Sequence, residues 1–458
     1  MASSISYFRQ CLRANLTYDK TLSRSPQIII LALMLIFTGV GARIGLLIVN
    51  GDRPIGSLSG VGDQERYIAL ANSVFQGRGL SYNGQPTALR PPLYPLLLAG
   101  SHIIFGSHYV FVVRLLQVFF GMAVAFVCVL IGRNLFGKNL SMSLCIGAVA
   151  LTLPTLTFIS TELQSEQLAT LLTAIFLLSV IGQLQGKANS AIGIGVSSGL
   201  ATLVRFNCAI LVVIGIVICV WPKRNLRAAF LVFAVAGLII SPWIVRNALE
   251  FDGKILFSSH GGINLLEGVL TPDGRAQHGE DERFRAAVGW LHSDIEVNNA
   301  HRNLFPSEIQ LDRQARIAAV SNWEKLSWGS TLNLLLQKVL RFWLSTDQLI
   351  DTDSFTKSGR RLRTLAVIIY WVVLACAIVG LRYLYLSSRS VALGLGFFIL
   401  FVTLAHLPFV MNTRLRIPFF DPLLCIMGAA GFIRLFEEHY LQISSLGSRN
   451  ASAVGQGL

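Results

Sequence analysis

Charge is scarce in this chain. Only 14% of its 458 residues are Asp, Glu, Lys or Arg, where a soluble chain of this length carries about a quarter. That shortage excludes an ordinary water-soluble enzyme, because the missing charge is replaced by apolar runs that recur along most of the sequence. The seven cysteines have neither CxxC nor metal-ligand spacing. Cys128, Cys145, Cys219 and Cys376 lie inside apolar runs and read as small apolar filling. A Walker A loop, a GxSxG elbow and an HExxH helix are all absent, which removes P-loop ATPases, serine hydrolases and zincins from consideration. No internal repeat is detectable, which weighs against a secondary transporter built from two related halves. No cleavable signal peptide is evident: the N-terminus is polar for about 25 residues, and the first apolar run is long enough to span and stay. The net charge of +14 comes without an aromatic-interleaved basic patch. It points to cytoplasmic loops against anionic lipid, and not to nucleic acid.

A spanning helix needs about 20 apolar residues. Runs of that kind predict an all-α polytopic membrane protein of about ten transmembrane helices. They are Pro26–Val49, Tyr109–Ile131, Leu140–Phe158, Leu168–Leu184, Ile192–Val204, Ala209–Trp221, Ala228–Val245, Leu365–Leu386, Val391–Phe409 and Ile417–Phe436. Leu93–Phe105 and Leu332–Leu344 fall short and read as interfacial or re-entrant helices. Basic residues set the orientation. Arg9, Arg13, Lys20, Arg24, Arg133, Lys138, Lys187, Lys223, Arg224, Arg227, Arg382 and Arg389 all fall in segments that are cytoplasmic if the N-terminus is inside.

This topology divides the chain into a cytoplasmic segment 1–25, an N-terminal transmembrane module 26–245 with a first outer loop at 50–108, an outer loop or subdomain 246–361, C-terminal transmembrane helices 362–436, and a cytoplasmic tail 437–458. Within the second outer segment, Glu280–Asp312 is helical and mixed in charge, as expected of a small soluble subdomain. From Ser444 the tail is small and polar and is expected to lack regular structure. A multi-pass protein of a bacterial inner or plasma membrane, with its working face on the non-cytoplasmic side, is the expected location.

Polar residues at the outer edge carry the chemical information. Asp63, Glu65 and Tyr67 sit near the start of a helical pattern in which Tyr67, Leu70 and Val74 share a face; Asp63 either caps that helix or works. Arg90-Pro91-Pro92-Leu93-Tyr94 gives a stiff entry to the short apolar segment. Glu162 and Glu166 are four apart, on one helical face or in a solvated hairpin. Arg205, Arg246, Arg414 and Arg416 each fall on the outer side, where positive-inside bias does not account for them. Singly they read as snorkelling cations. As a set they suit a phosphate leaving group, since guanidinium binds phosphate oxygens bidentately and keeps its proton, while a carboxylate can take one from an acceptor hydroxyl. His260 in Ser-Ser-His-Gly-Gly-Ile-Asn264 is the one histidine in a motif-like setting, and a lone loop histidine is more often structural.

Together these pieces resemble the GT-C superfamily of integral-membrane glycosyltransferases, in particular the protein-mannosyltransferase-like branch, glycosyltransferase family 39. The likeness runs in order through Asp63…Tyr67…Ala71, Gly77-x-Gly79, Arg90-Pro-Pro-Leu-Tyr-Pro95, Ser165-Glu166, Leu203-Val-Arg205, Ser241-Pro-Trp-Ile-Val-Arg246-Asn247, Ser258-Ser-His-Gly-Gly-Ile-Asn264 and Arg416-Ile-Pro-Phe-Phe-Asp421-Pro422. The resemblance implies inverting transfer of a sugar from a polyprenyl-phosphate donor to a glycan, lipid or protein acceptor on the outer side. It implies Asp63 as catalytic base or acceptor-positioning group, Glu166 as the second acid, and the matched arginines as phosphate holders. Gln64, Asp252 and Val269 depart from the family pattern. A divalent cation such as Mg²⁺ or Mn²⁺ on Asp63 and Glu166 is left open, because two carboxylates alone decide little. A lipid-linked-sugar flippase and a non-catalytic protein with the same fold are the alternatives; Arg43, inside the first span, is the main residue favouring the flippase.

Overall fold

A computed structural model describes residues 26–52, 61–82, 84–221, 224–271, 308–344 and 357–455. Within these residues the chain is helical almost throughout, with one two-stranded antiparallel ribbon, β1 (Ser81–Tyr82) and β2 (Gln85–Pro86). Seven helices are long and apolar enough to cross a bilayer, and three shorter apolar ones accompany them. The expected spans correspond to α1 (Pro26–Asn50), α4 (Tyr109–Phe136), α5 (Leu140–Thr152) with the short α6 (Pro154–Phe158), α7 (Glu166–Leu184), α8 (Ser190–Val204), α9 (Ile210–Val220), α10 (Leu226–Glu250), α14 (Lys357–Ser387), α15 (Arg389–His406) and α16 (Thr413–Gly455). Between α1 and α4 lie α2 (Val61–Phe75) and α3 (Leu93–Phe105); between α10 and α14 lie α11 (Gly261–Leu270), α12 (Glu308–Glu324) and α13 (Trp328–Leu344).

Large apolar side chains such as Phe37, Phe230 and Leu238 are exposed on the outside of the bundle, as lipid-facing positions are. Helices in lipid gain nothing from excluding water between them, so close packing through small residues holds them. Gly431 of α16 shows this: a Cβ there would lie 1.8 Å from the Cys376 carbonyl oxygen of α14. The first half of α16 is the most enclosed of the candidate spans.

Two features differ from the sequence expectation. Leu93–Phe105 is not isolated: a 3₁₀ turn at Gly106–His108 joins it to α4, and Leu93–Phe136 together is long enough to cross. Gly106, at φ 56°, supplies the backbone conformation that interrupts the helix there. The backbone of α16 also continues helical to Gly455, past Ser444. The Leu435–Ile443 stretch contains no proline or glycine to stop the helix before Ser444. Residues 280–307 of the expected soluble subdomain, and the 1–25 segment, lie outside the described residues.

Arg43 does not line a path. It is buried and donates to the carbonyl oxygens of Gly39, Leu151 and Ala150, where α5 ends before Pro154 and leaves carbonyls without an intrahelical partner. Its charge closes a helix end, and the main residue favouring a flippase is thereby accounted for.

Candidate active site

The site is built on α2 and α3. Tyr67 and Ala71 of α2 pack against Tyr94 and Leu98 of α3, with the Tyr67 and Tyr94 rings edge to face at 4.8 Å. That apolar contact fixes the helical face on which Asp63, in the first turn, points inward. Pro92 caps α3, and the Arg90 side chain just before it reaches the Asp63 carboxylate. The hairpin ahead of Arg90 is held from two sides. Arg246 of α10 donates to the Thr87 and Leu80 carbonyls at 3.0 and 3.1 Å. Glu308 of α12 accepts from the Thr87 hydroxyl at 2.5 Å and from the Ala88 amide at 3.1 Å.

The Ser160–Glu166 segment is no solvated hairpin: residues 155–167 are all buried. Arg114 of α4 staples it, donating to the Thr161 carbonyl at 2.9 Å and to the Gly51 carbonyl at 2.7 Å. Its end places Glu166, at 0% exposure, beneath two guanidiniums. Arg205 lies at 2.9 Å, and Arg414 donates through Nε at 2.8 Å. A second nitrogen of Arg414 donates to Asp63 at 3.0 Å. Arg205 also donates to the Ser165 hydroxyl, which lies 2.9 Å from the Tyr67 hydroxyl. The result is one connected network, Arg90–Asp63–Arg414–Glu166–Arg205, contributed by helices from both ends of the chain.

The network borders a cavity of about 650 Å³. Asp63, Tyr67, Arg90, Arg205, His260, Asn264 and Arg414 all line it, and Glu166 lies behind the arginines. The other expected site residues fall elsewhere. Glu65 is exposed on α2. Tyr94 donates to Gln117, and Glu162 accepts from Gln64 at 3.0 Å, both in the packing behind the cavity. Arg246 and Asn247 bond backbone and each other. Arg416 lies deep in the bundle, donating to the Phe342 and Trp343 carbonyls and stacking over the Tyr370 ring at 4.4 Å.

Three further titratable residues that the sequence pattern does not single out line the cavity: Arg66, His406 and Glu267. Helical spacing carries a signal for two of them. Arg66 is three residues after Asp63, and Glu267 is three after Asn264 and seven after His260, so each shares a face with an expected residue. The other face of α11, with Ile263, Leu266 and Val269, packs on Ala315 and Ala319 of α12.

Electrostatics separates the carboxylates. Burial pushes the Asp63 carboxyl up, but Arg90 and Arg414 beside it outweigh that and hold it well below the usual range. Burial raises the Tyr67 phenol and takes His260 down to about 3, with Arg90 and Arg66 adding to the effect. Glu267 goes the other way: burial lifts it to about 7, against the opposing pull of Arg66 and Arg90. A divalent cation between Asp63 and Glu166 would have to displace Arg414, which bridges them. No group of three or more His, Cys, Asp or Glu side chains is placed to hold a metal among the described residues.

Residues 89–245 match the profile of the dolichyl-phosphate-mannose-protein mannosyltransferase family. The archaeal oligosaccharyltransferase AglB from Archaeoglobus fulgidus, in complex with an inhibitory peptide and a dolichol-phosphate, superposes with a TM-score of 0.53 at 14% identity over 91% of this chain. These likenesses show a similarity of fold to integral-membrane glycosyltransferases of the GT-C type, and the family profile covers about a third of the chain. A second structure of the Archaeoglobus fulgidus oligosaccharyltransferase, with zinc and sulfate, superposes at TM-score 0.51 and 12% identity over 90% of this chain and 50% of its own. The chain spans about half the length of that enzyme (52%), so the likeness bears on the shared fold. ArnT from Cupriavidus metallidurans bound to undecaprenyl phosphate is 15% identical over 87% of the chain and 78% of its own, at a TM-score of 0.40, too loose to bear on the site. Comparison with curated proteins finds no sequence match.

Proposed function

We propose that this protein is a GT-C glycosyltransferase, transferring a sugar from a polyprenyl-phosphate donor to an acceptor hydroxyl, with inversion, at a cavity on the non-cytoplasmic side of the membrane. The observation that carries the reading is the charge balance of the cavity. Among the described residues, four guanidiniums (Arg66, Arg90, Arg205 and Arg414) meet three carboxylates (Asp63, Glu166 and Glu267). With all three ionised the balance is one positive charge, and with Glu267 protonated it is two. A phosphodiester donor carries one negative charge, and the phosphate that leaves carries up to two. The surplus is therefore matched to the donor and grows more favourable as the phosphate departs, which is where preorganised cations lower a barrier.

The residues divide accordingly. Glu166 is buried and spends its charge holding Arg205 and Arg414 in place, so that their remaining N–H groups face the cavity without having to reorganise. Asp63, tied to Arg90 and Arg414, stays ionised and accepts a hydrogen bond, which suits it to orient the acceptor hydroxyl. His260 is neutral at physiological pH and offers a hydrogen bond without charge. The outward placement rests on the loop charges, which put the basic short loops on the opposite side.

The test is direct. Purified protein in lipid nanodiscs is incubated with a polyprenyl-phosphate sugar labelled in the sugar, together with native membranes as acceptor source. Label leaving the lipid for a new product supports transfer. In proteoliposomes, label that crosses the bilayer still attached to lipid indicates a flippase. Binding without either indicates a non-catalytic role.

A further inference from the structure

Inverting transfer fixes where the sugar of the donor sits. The bond that breaks and the bond that forms meet at the anomeric carbon from opposite sides, so the ring lies between the phosphate and the acceptor hydroxyl. With the phosphate on Arg205 and Arg414 and the hydroxyl on Asp63, the ring is confined to the part of the cavity within reach of Asp63. The lining divides around that point. Val204, Phe206, Phe409 and Val410 form an apolar wall, which suits the polyprenyl chain. Arg66, His260, Asn264 and Glu267 form a polar one. The two walls join where Gly268 of α11 lies against the Phe409 backbone.

Most of the polar wall is a single helical stripe. His260 caps α11, and Asn264 and Glu267 follow four and seven positions on, so the three share a face about 10 Å long. That face looks toward the reacting end: Arg66, Arg90 and Asp63 act electrostatically on both His260 and Glu267. Among the described residues, no hydrogen bond or ion pair engages the side chains of Asn264 and Glu267, and the buried Nδ1 of His260 has no partner. The rest of the cavity differs. Asp63, Glu166, Arg205 and Arg414 hold one another, and Asn207 holds His406 at 3.2 Å. The α11 backbone is also fixed. The Gly262 amide donates to the Asp312 carboxylate at 2.5 Å, and Asp312 is paired with Arg316 at 2.6 Å. A fixed helix that presents an imidazole, an amide and a carboxylate without protein partners is a hydrogen-bonding surface for a polyhydroxyl ligand.

We infer that the α11 stripe is the donor-sugar subsite, and that Glu267 sets its selectivity by accepting hydrogen bonds from two adjacent hydroxyls of an uncharged sugar. The inference rests on the transferase reading above. A carboxylate suits such a pair, because it has two acceptor oxygens and no donor, while the Asn264 amide both donates and accepts. A sugar with its own negative charge would meet Glu267 as a like charge. It would also exceed the single positive surplus of the fully ionised cavity, which the phosphodiester already balances. A sugar lacking one of the two hydroxyls leaves a carboxylate oxygen without its partner, which is how a site built on hydrogen bonds rejects an analogue. Asp63 meets the acceptor hydroxyl, Arg205 and Arg414 meet the phosphate, and Glu267 reads the ring between them.

The experiment uses full-length wild type, E267Q and N264A in nanodiscs at pH 8, above the value of about 7 to which burial lifts Glu267. Affinities are measured for undecaprenyl phosphate and for a panel of undecaprenyl-phosphate sugars: neutral hexoses and pentoses, their monodeoxy forms and a hexuronic acid. The ratio of the two affinities isolates the sugar, because a change in cavity charge acts on the phosphate common to both. In wild type a neutral sugar should bind about tenfold more tightly than undecaprenyl phosphate, and the hexuronic acid no more tightly. E267Q should lose about that factor, and should lose little with donors already deoxygenated at the contacted positions. E267Q with the wild-type ratio overturns the assignment of Glu267, and so does an equal loss with every deoxy donor. Wild type that binds no neutral sugar more tightly than undecaprenyl phosphate overturns the subsite. If E267Q no longer binds undecaprenyl phosphate, N264A decides: a reduced ratio sustains the subsite and an unchanged one overturns it. Transfer is read separately, with donors labelled in the sugar and native membranes supplying acceptor. Wild type that binds sugar selectively yet transfers none overturns the transferase reading and leaves the sugar subsite standing.

Discussion

Arg414 and Asp63 stand 351 positions apart in the chain and meet at 3.0 Å. One lies at the start of the last span and the other in the first turn of α2, so this contact closes the cavity by tying the C-terminal helices to the first loop. The same guanidinium holds Glu166 through Nε at 2.8 Å. Planarity makes this double duty achievable, because one arginine can direct its donors at two acids from fixed positions.

Replacing Arg414 with lysine keeps the charge and loses the fork. R414K should lower kcat/KM for transfer about 100-fold, the scale seen when a preorganised donor to a developing anion is removed. Initial rates on the labelled donor measure it; a wild-type rate would place the guanidinium outside the chemistry.

Arg246 acts at a distance. Its two carbonyl bonds hold the hairpin that ends at Arg90, and its guanidinium lies over the Trp243 ring at 5.2 Å. R246A leaves the Leu80 and Thr87 carbonyls without these partners, at a cost of about 1–3 kcal/mol. Thermal unfolding in detergent should show that loss. Transfer should fall with it, and R246K should recover part of both.

At Gly262 the backbone of α11 lies close against α12. A Cβ added there would lie 2.1 Å from the Asp312 carbonyl oxygen, a backbone atom with no flexible end to yield. G262A should therefore destabilise by about 1–3 kcal/mol and shift the helix bearing His260, Asn264 and Glu267. A lower unfolding temperature together with slower transfer is the expected pair of readouts; unchanged unfolding would show that the two helices can separate freely.

As pH rises through about 7, Glu267 loses its proton and the cavity loses one unit of its positive surplus, so binding of undecaprenyl phosphate should weaken across that range. Asp63, Arg66, Arg90 and His260 face it from the cavity, with Asp312 and Arg316 on α12 behind. His260, held down near 3, is neutral throughout this range and adds no step of its own. Stability follows the same sign. Between the ordinary glutamate value of 4.5 and about 7 the folded protein keeps a proton that the unfolded chain has released. Raising pH across that window therefore reduces stability. E267Q should flatten both profiles there, and a step near 7 that persists in E267Q would assign it to another group.

The sequence by itself determined the membrane character, the helical class and most of the spans, because burial in lipid demands long apolar runs that composition displays directly. It also marked Asp63, Arg90, Glu166, Arg205 and Arg414, since charge at a membrane edge is costly enough to stand out. What it could not rank was the use of each charge. Arg416 and Arg414 differ by two positions, yet one turns into the bundle onto backbone carbonyls and the other into the cavity. Their direction depends on the packing of α16 against helices remote in sequence. Glu267 passed without notice for the converse reason: on paper it is an ordinary acid in an amphipathic loop helix. Only the tertiary structure, by pairing the other two carboxylates with arginines and bringing this one to the wall of the same cavity, distinguished it.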